Sequence, residues 1–417
     1  MKTKKVIIVG AGIVGYSTAY FLNKAGCDVT IIDQTDGNDN CSFGNAGYIS
    51  PSHLIPLASP GIISQGLKWM LNSKSPFYIK PRLNLDLIRW GMLFKKAATD
   101  KRVKEAIPIL YELTVQSQKL YEDILSEENI DAGYQKPGLL MVCQTKEALH
   151  HEEEMVRIAQ RFGLDASTLN REETEKLEPN VTYDMAGSVW FGCDAWMTPN
   201  AYMDKLRSIL VERGVKLEFN TKLTDFNLGH SHIRSIETNK GSIVADEYIV
   251  AAGAWTALLM KKLGVFMPLQ GGKGYSFTIG NPPVMPKLPS ILVEGRIATT
   301  PMMHGLRIAG TMELTGINNE INQNRIEGII ESVKEAIPSL RNYDFTQIKP
   351  WAGLRPCTPD GLPYIGRIPS VNNVQIGTGH AMLGWTLGPI TGKILAEEVM
   401  GEKASVKSSL LHVDRYN

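Results

Sequence analysis

Three glycines near the start of the chain constrain its fold more than any other feature. Gly10, Gly12 and Gly15 form G-x-G-x-x-G between an apolar run at 6–9 and a helical segment through 17–24, and a second apolar run, 28–32, follows. Strand, tight turn, helix and strand make one βαβ unit, the setting in which this spacing has physical meaning. Gly10 permits the turn, Gly12 lets the backbone approach a pyrophosphate, and Gly15 lets helix pack on strand. Ile13 and Val14 complete the loop that meets the phosphates, which helix N-terminal amides then face. Asp33 stands eighteen residues past Gly15, beside Gln34, where a carboxylate accepts hydrogen bonds from ribose hydroxyls. A dinucleotide is expected, and the loop alone does not separate FAD from NAD.

The bulk numbers narrow the rest. At 417 residues and 43% apolar content, two intimately packed domains are expected. Lysine and arginine total 44 against 43 acidic residues, so no net field draws a nucleic acid, and a small molecule is the default ligand. Cys27, Cys41, Cys143, Cys193 and Cys357 are scattered without a C-x-x-C pair. That speaks against a disulfide framework and a metal site and for a reducing, cytoplasmic setting. The basic-then-apolar N-terminus runs straight into the glycine loop without a cleavage site, which marks a first strand. No apolar run reaches the roughly 18 residues that span a bilayer, so a soluble or peripherally attached protein is expected. Hydrolase, zinc-protease and NTPase motifs are missing.

Farther along, 54–81 reads as irregular and proline-rich, and helices at 85–98 and 107–128 read as an insertion covering a sheet. Thr198 suits an N-cap, Pro199 a first helical turn, and Met203, Leu206, Ile209 and Leu210 repeat at helical spacing. A strand at 215–219, a hairpin turned by Asn239, Lys240 and Gly241, and a β run at 247–252 follow. The stretch 262–350 suggests an antiparallel sheet with one helix at 325–336. A second glycine cluster, Gly377, Gly379, Gly384 and Gly388, precedes a helix at 386–400. Its N-terminal amides suit the N1–C2=O edge of a flavin, which becomes anionic on reduction; NAD enzymes need no such feature.

GAGIVG at 10–15, FGNAGYISP at 43–51, AAGAW at 251–255, KGYS at 273–276, GLRPCTPDG at 353–361 and GTGHAMLGWT at 377–386 occur in one order. In these motifs the chain resembles the FAD-dependent D-amino-acid oxidoreductase superfamily, most like the D-amino-acid dehydrogenases of the small-subunit type, over nearly its whole length. The resemblance implies an α/β fold with an α+β second domain: a Rossmann-like FAD-binding domain (1–56, 197–262 and 350–417) and a substrate domain with a mixed or antiparallel sheet (57–196 and 263–349). It implies noncovalent FAD, with Asn45, Ala46 and Gly47 near pyrophosphate and flavin and Leu223 by the adenine. Ala252, Gly253 and Trp255 would close over the adenosine side, and Gly379, His380, Leu383, Gly384 and Trp385 would contact the isoalloxazine.

Oxidising an α-amino acid at a flavin requires an anchored carboxylate and a neutral amine. A carboxylate calls for a planar bidentate donor, so Arg355 is the expected anchor, matching the carboxylate-binding arginine of similar glycine oxidases. Tyr275 reads equally as a second carboxylate donor or as core, and Lys273 as a cation near the flavin or a solvated strand-end residue. His380 is expected to face the flavin and tune electrostatics more than move protons, and Cys357 to be an ordinary loop residue. His53 reads as pocket-lining or, preferably, as a surface-loop histidine. The expected reaction is oxidation of a D-amino or D-imino acid, such as D-alanine or cis-4-hydroxy-D-proline, with electrons passed to quinone or another carrier. A glycine or sarcosine oxidase using oxygen, and a noncatalytic FAD-binding subunit, are the alternatives. The aromatic and basic stretch 66–96 suits either contact with the inner face of the plasma membrane or packing on its own domain.

Overall fold

The computed structural model describes residues 3–70, 72 and 74–416. Met1, Lys2, Leu71, Ser73 and Asn417, which fall within the ranges 1–56, 57–196, 66–96 and 350–417 above, lie outside the described residues.

Alternation decides the first sheet. In the strand Lys5–Val9, Val6 and Ile8 enter one apolar core while Ile7 and Val9 enter another, so both faces are covered and the run reads as continuously apolar. The sheet has the order Tyr364–Arg367, Val374–Thr378, Glu247–Val250, Lys5–Val9, Asp28–Ile32, Lys216–Glu218. All neighbours pair in parallel except the antiparallel edge Tyr364–Arg367. The helix after the glycine loop runs Ile13–Lys24, beginning earlier than the apolar periodicity suggested. Gly10 has φ +116°, and a Cβ on Gly15 would stand 1.9 Å from the Gly10 carbonyl oxygen, so the turn closes with no room for a side chain.

Against this helix lies Gly384–Met400, which starts two residues ahead of the expected 386 and carries Pro389 inside. Glycine makes the approach possible: a Cβ on Gly388 would meet Ile13 Cγ1 at 2.4 Å, and one on Gly392 would meet the Ser17 backbone at 2.5 Å. A third helix, Asp100–Glu127, tolerates Pro108 and begins well before the expected 107. It covers helix rather than sheet, since the Tyr121 hydroxyl donates to the Trp385 carbonyl (2.6 Å) and the Ile390 amide to Ser117 Oγ (3.3 Å).

The second sheet has nine strands and is mixed. Its order is Trp351–Cys357, Gln270–Ile279, Gly305–Leu314, Ile297–Met302, Ser290–Leu292, Leu139–Cys143, Gly187–Phe191, Ala166–Leu169. Phe77–Ile79 adds to Gly305–Leu314 in parallel, and Ser290–Leu292 pairs with Leu139–Cys143 in parallel. The stretch 54–81 is therefore not wholly irregular: it holds this strand and the helix Ile62–Trp69. Trp351–Cys357 joins the second sheet although its range, 350–417, otherwise supplies the first. Thr198 precedes the helix Pro199–Glu212 without capping it, because its hydroxyl accepts from the Met303 amide instead (3.1 Å). The hairpin at 239–241 joins Ile233–Thr238 to Gly241–Ile243, and the 325–336 helix is Gln323–Ala336.

Because the Gly15 site is bounded by backbone, Gly15→Ala is expected to cost about 2–3 kcal/mol. Thermal denaturation of the purified protein should show the lower Tm; an unchanged Tm would mean that the loop yields.

Candidate active site

A cavity of about 2190 Å3 runs from the glycine loop to the edge of the second sheet. At one end Gly10, Gly12, Ile13 and Val14 form its wall with Asp33, Gln34, Leu223, Ala252, Gly253 and Trp255. Asp33 braces the loop it faces: Oδ2 accepts from the Ala11 amide (2.8 Å), and Oδ1 accepts from the amide and hydroxyl of Thr35 (both 2.8 Å). A carboxylate keeps further lone pairs for a ribose. Ser42 Oγ accepts from the Ile13 amide at the helix start (2.9 Å), and Asn40 ties Ser42 to the Ala11 carbonyl. Neither Asn40 nor Ser42 carried a spacing signal in the sequence.

The turn at 43–47 is clamped from the second sheet. Arg307 donates to the carbonyls of Phe43 (2.7 Å) and Asn45 (2.9 Å), and burial pushes its guanidinium down to about 10. Thr300 donates to the Ala46 carbonyl (2.7 Å), and Asn45 Oδ1 accepts from the Gly47 amide (2.8 Å). Asn45 and Ala46 line the cavity. Gly47, with φ +81°, turns away beneath the Met197 carbonyl, and Gly15 and Gly379 likewise support the wall from behind it.

At the other end the wall includes Arg355, Tyr275, His53, His380, Leu383, Gly384 and Trp385. Arg355 lies flat over Gly274, whose Cβ would stand 2.0 Å from its Nη1, and donates to the Thr311 carbonyl (2.8 Å). It has no carboxylate partner among the described residues; burial pushes its guanidinium below the ordinary value, with the Cys357 and Cys41 thiols opposing. Cys357 ends the strand rather than sitting in a loop, and burial raises its thiol to about 11. His380 is buried, its Nε2 2.8 Å from Thr391 Oγ1, and burial pushes it down to about 3, which favours the neutral imidazole.

Two expected site residues point elsewhere. The Tyr275 hydroxyl donates to Glu313 Oε2 (2.6 Å), not into the cavity, and burial followed by that carboxylate pushes the phenol up. Lys273 is 3% exposed and off the cavity wall, with Nζ donating to Asn318 Oδ1 (2.9 Å) and the Glu320 carbonyl (2.8 Å) and standing 3.8 Å from Glu313. Arg325 Nε completes the cluster at 3.0 Å from Glu313 Oε1. His53 is half-buried and lines the cavity; burial pushes its imidazole down and Asp194 pulls it back up.

The residues fit a flavin dinucleotide. Above Gly12 a Cβ would meet only Ser42 Oγ at 3.5 Å, so the loop opens to the cavity. Ser50 and Trp385, both wall residues, keep buried polar atoms, Oγ and Nε1, without protein partners among the described residues, and the helix Gly384–Met400 starts at the wall.

The family model for FAD-dependent oxidoreductases matches residues 5–398. The D-amino acid dehydrogenase of Granulibacter bethesdensis is 30% identical over 421 residues, covering 99% of each chain. That of Vibrio vulnificus is 29% identical, covering 97% of this chain and 98% of its own. The chain belongs to the FAD-dependent oxidoreductase family. Among solved structures, glycine oxidase from Geobacillus kaustophilus superposes with a TM-score of 0.78 at 20% identity, covering 100% of both chains. L-proline dehydrogenase from P. horikoshii superposes at 0.77 and 19%, covering 99% of this chain and 98% of the other; these two likenesses concern the fold. FAD is the cofactor of this enzyme.

Glu313 compensates two buried cations. Glu313→Gln is expected to destabilise the FAD-loaded protein by about 3–5 kcal/mol in urea denaturation, since it leaves both uncompensated; a loss below about 1 kcal/mol would show that the cluster is solvated.

Proposed function

We propose that this FAD enzyme oxidises a D-amino or D-imino acid to the corresponding imine, with Arg355 holding the substrate carboxylate. The observation that carries the reading is an arginine on the wall of the cofactor cavity without a carboxylate of its own. Such a guanidinium attracts an anion, and its planar fork matches a carboxylate. Relatives named D-amino acid dehydrogenase, aligned over nearly the whole chain, favour the D-configuration and a dehydrogenase. When bound, FAD supplies the hydride acceptor. The chain's own residues anchor the substrate at Arg355 and enclose it between the two sheets. On this reading the segments 1–56, 197–262 and 350–417 hold the dinucleotide, the second sheet roofs the reacting end through Tyr275 and the strand of Arg355, and the loop of His53 closes it from the side. At the adenosine side we assign contacts to Leu223, Ala252, Gly253 and Trp255, and at the flavin to Leu383, Gly384 and Trp385.

Anaerobic mixing with D-alanine, D-proline, cis-4-hydroxy-D-proline, glycine, sarcosine and L-enantiomers tests the reading. Bleaching of the oxidised flavin band by D-compounds is the expected outcome; no bleaching by any would sink it, and peroxide release with glycine or sarcosine would indicate an oxidase. Arg355→Leu should weaken substrate binding at least about 100-fold while retaining FAD.

The reading extends to a quinone acceptor met at a membrane surface of the cytoplasmic side. Ile63, Leu67, Leu83, Leu85, Ile88 and Met92 are exposed along one stretch that also carries Lys68, Arg89, Lys95 and Lys96. Among the described residues no helix is long and apolar enough to cross a membrane, so contact would be interfacial. The cavity reaches this stretch, with Ile62, Leu67 and Trp69 in its wall. Sedimentation with anionic vesicles should carry the protein down, and Leu67→Glu combined with Leu85→Glu should weaken that binding roughly tenfold or more. Equal sedimentation of the two would argue against the surface.

A further inference from the structure

The short ladder Tyr48–Ile49 with Ala195–Trp196 brings two loops side by side: Ser52 and His53 follow one strand, and Asp194 precedes the other. Asp194, 1% exposed, grips Ser52 twice, accepting from its amide on Oδ1 (3.0 Å) and from its hydroxyl on Oδ2 (2.6 Å). Ser52 Oγ is also 3.2 Å from His53 Nδ1. A hydroxyl has one proton, and here the carboxylate takes it, so toward His53 the oxygen accepts. That selects the imidazole tautomer with its proton on Nδ1 and a lone pair on Nε2. Nε2 has no protein partner among the described residues, and His53 lines the cavity shared by Arg355.

The geometry points to a proton relay, His53–Ser52–Asp194, in which His53 Nε2 takes the ammonium proton of the amino acid held at Arg355. It rests on the oxidation proposed above. An amino acid enters mainly as a zwitterion, and hydride departs from Cα only with help from a free nitrogen lone pair. One N–H bond of the ammonium breaks and one Nε2–H bond forms; Ser52 keeps its proton, and the Asp194 charge stabilises the imidazolium through it. His53 is the catalytic residue of the relay, and Ser52 and Asp194 position it.

The titratable groups facing the relay are few. Asp194 acts directly on His53, the Cys193 thiol donates to Asp194 Oδ1 (3.4 Å), and the Tyr48 phenol lies in the field of Asp194. Burial lowers the imidazole from its ordinary value of 6.5, opposed by Asp194, so the base form is present at neutral pH. Flavin reduction by a bound D-amino acid should therefore hold as pH falls toward neutrality and decline below the ordinary imidazole value.

The test uses the FAD-loaded protein, with stopped-flow reduction by D-alanine, D-proline and cis-4-hydroxy-D-proline from pH 5 to 10. His53→Gln should lower the limiting reduction rate at pH 7 by about 100-fold or more and let the rate rise with the ionisation of the free amine, with substrate affinity nearly unchanged. Asp194→Asn, of the same shape, should slow reduction less. Nitrogen-15 spectra of histidine-labelled protein, with the His53 signals assigned by their loss in H53Q, should show the Nδ1–H tautomer without any substrate and its reversal in D194N. An Nε2–H tautomer in the unmodified protein overturns the relay, as does a pH profile that H53Q reproduces. Bleaching by none of the three compounds instead fails the oxidation reading, and the relay's substrate with it.

Discussion

The close approach of two helices, Ile13–Lys24 from the start of the chain and Gly384–Met400 from its end, is the constraint on which the rest depends. Gly388 and Gly392 let the second helix rest on Ile13 and on the backbone at Ser17. A methyl group at either position would overlap the partner, and at Gly392 the partner is backbone, which cannot give way as a flexible side chain does. Each helix N-terminus borders the cavity, so this contact sets the separation between the glycine loop at one end of the cavity and the start of Gly384–Met400 at the other. Trp385 carries the constraint outward, because its carbonyl takes the Tyr121 hydroxyl of the long third helix.

Charge is sorted across the strand Gln270–Ile279. Lys273 and Tyr275 share a face with Glu313 and are consumed there, together with Arg325. Gly272 and Gly274 occupy the other face, where a missing side chain leaves room for Cys357 and for the guanidinium of Arg355. Arg355 thus stays without a carboxylate while Lys273 and Arg325 on the opposite face are neutralised by Glu313. A buried unpaired charge is costly, and a fold tolerates such a cost where a ligand of opposite charge completes the pair.

Much of this was legible from residues. The glycine turn at 10–15 needed only spacing, and the helix Gly384–Met400 needed only the glycines ahead of it. Lys273 fits neither of its two readings, and Tyr275 keeps a place on the wall while its hydroxyl turns to Glu313, because strand alternation says that they share a face but not what that face meets. That depends on the pairing of Lys273 with Glu313 and of Gly272 with Arg355, both distant in the chain. His53 looked like a surface loop because burial of a loop residue depends on what lands over it. Arg307 and Ser42, which hold the loops around the cavity, sit in stretches without periodicity or motif.

By itself, the sequence determined the βαβ entry, the glycine turn at 10–15 within it, and the helix that follows the second glycine cluster. These follow from local geometry: glycine where a side chain has no room, alternation in a strand, spacing along a helix. Tertiary structure alone decided which charges are spent on one another and which stay free. It placed Arg355 without a carboxylate partner, neutralised His380 by burial, and set His53 against Ser52 and Asp194. Those outcomes rest on burial and on hydrogen bonds such as Arg355 to Thr311 and Ser52 to Asp194, between residues far apart in sequence, which are fixed only when the chain closes around the cavity.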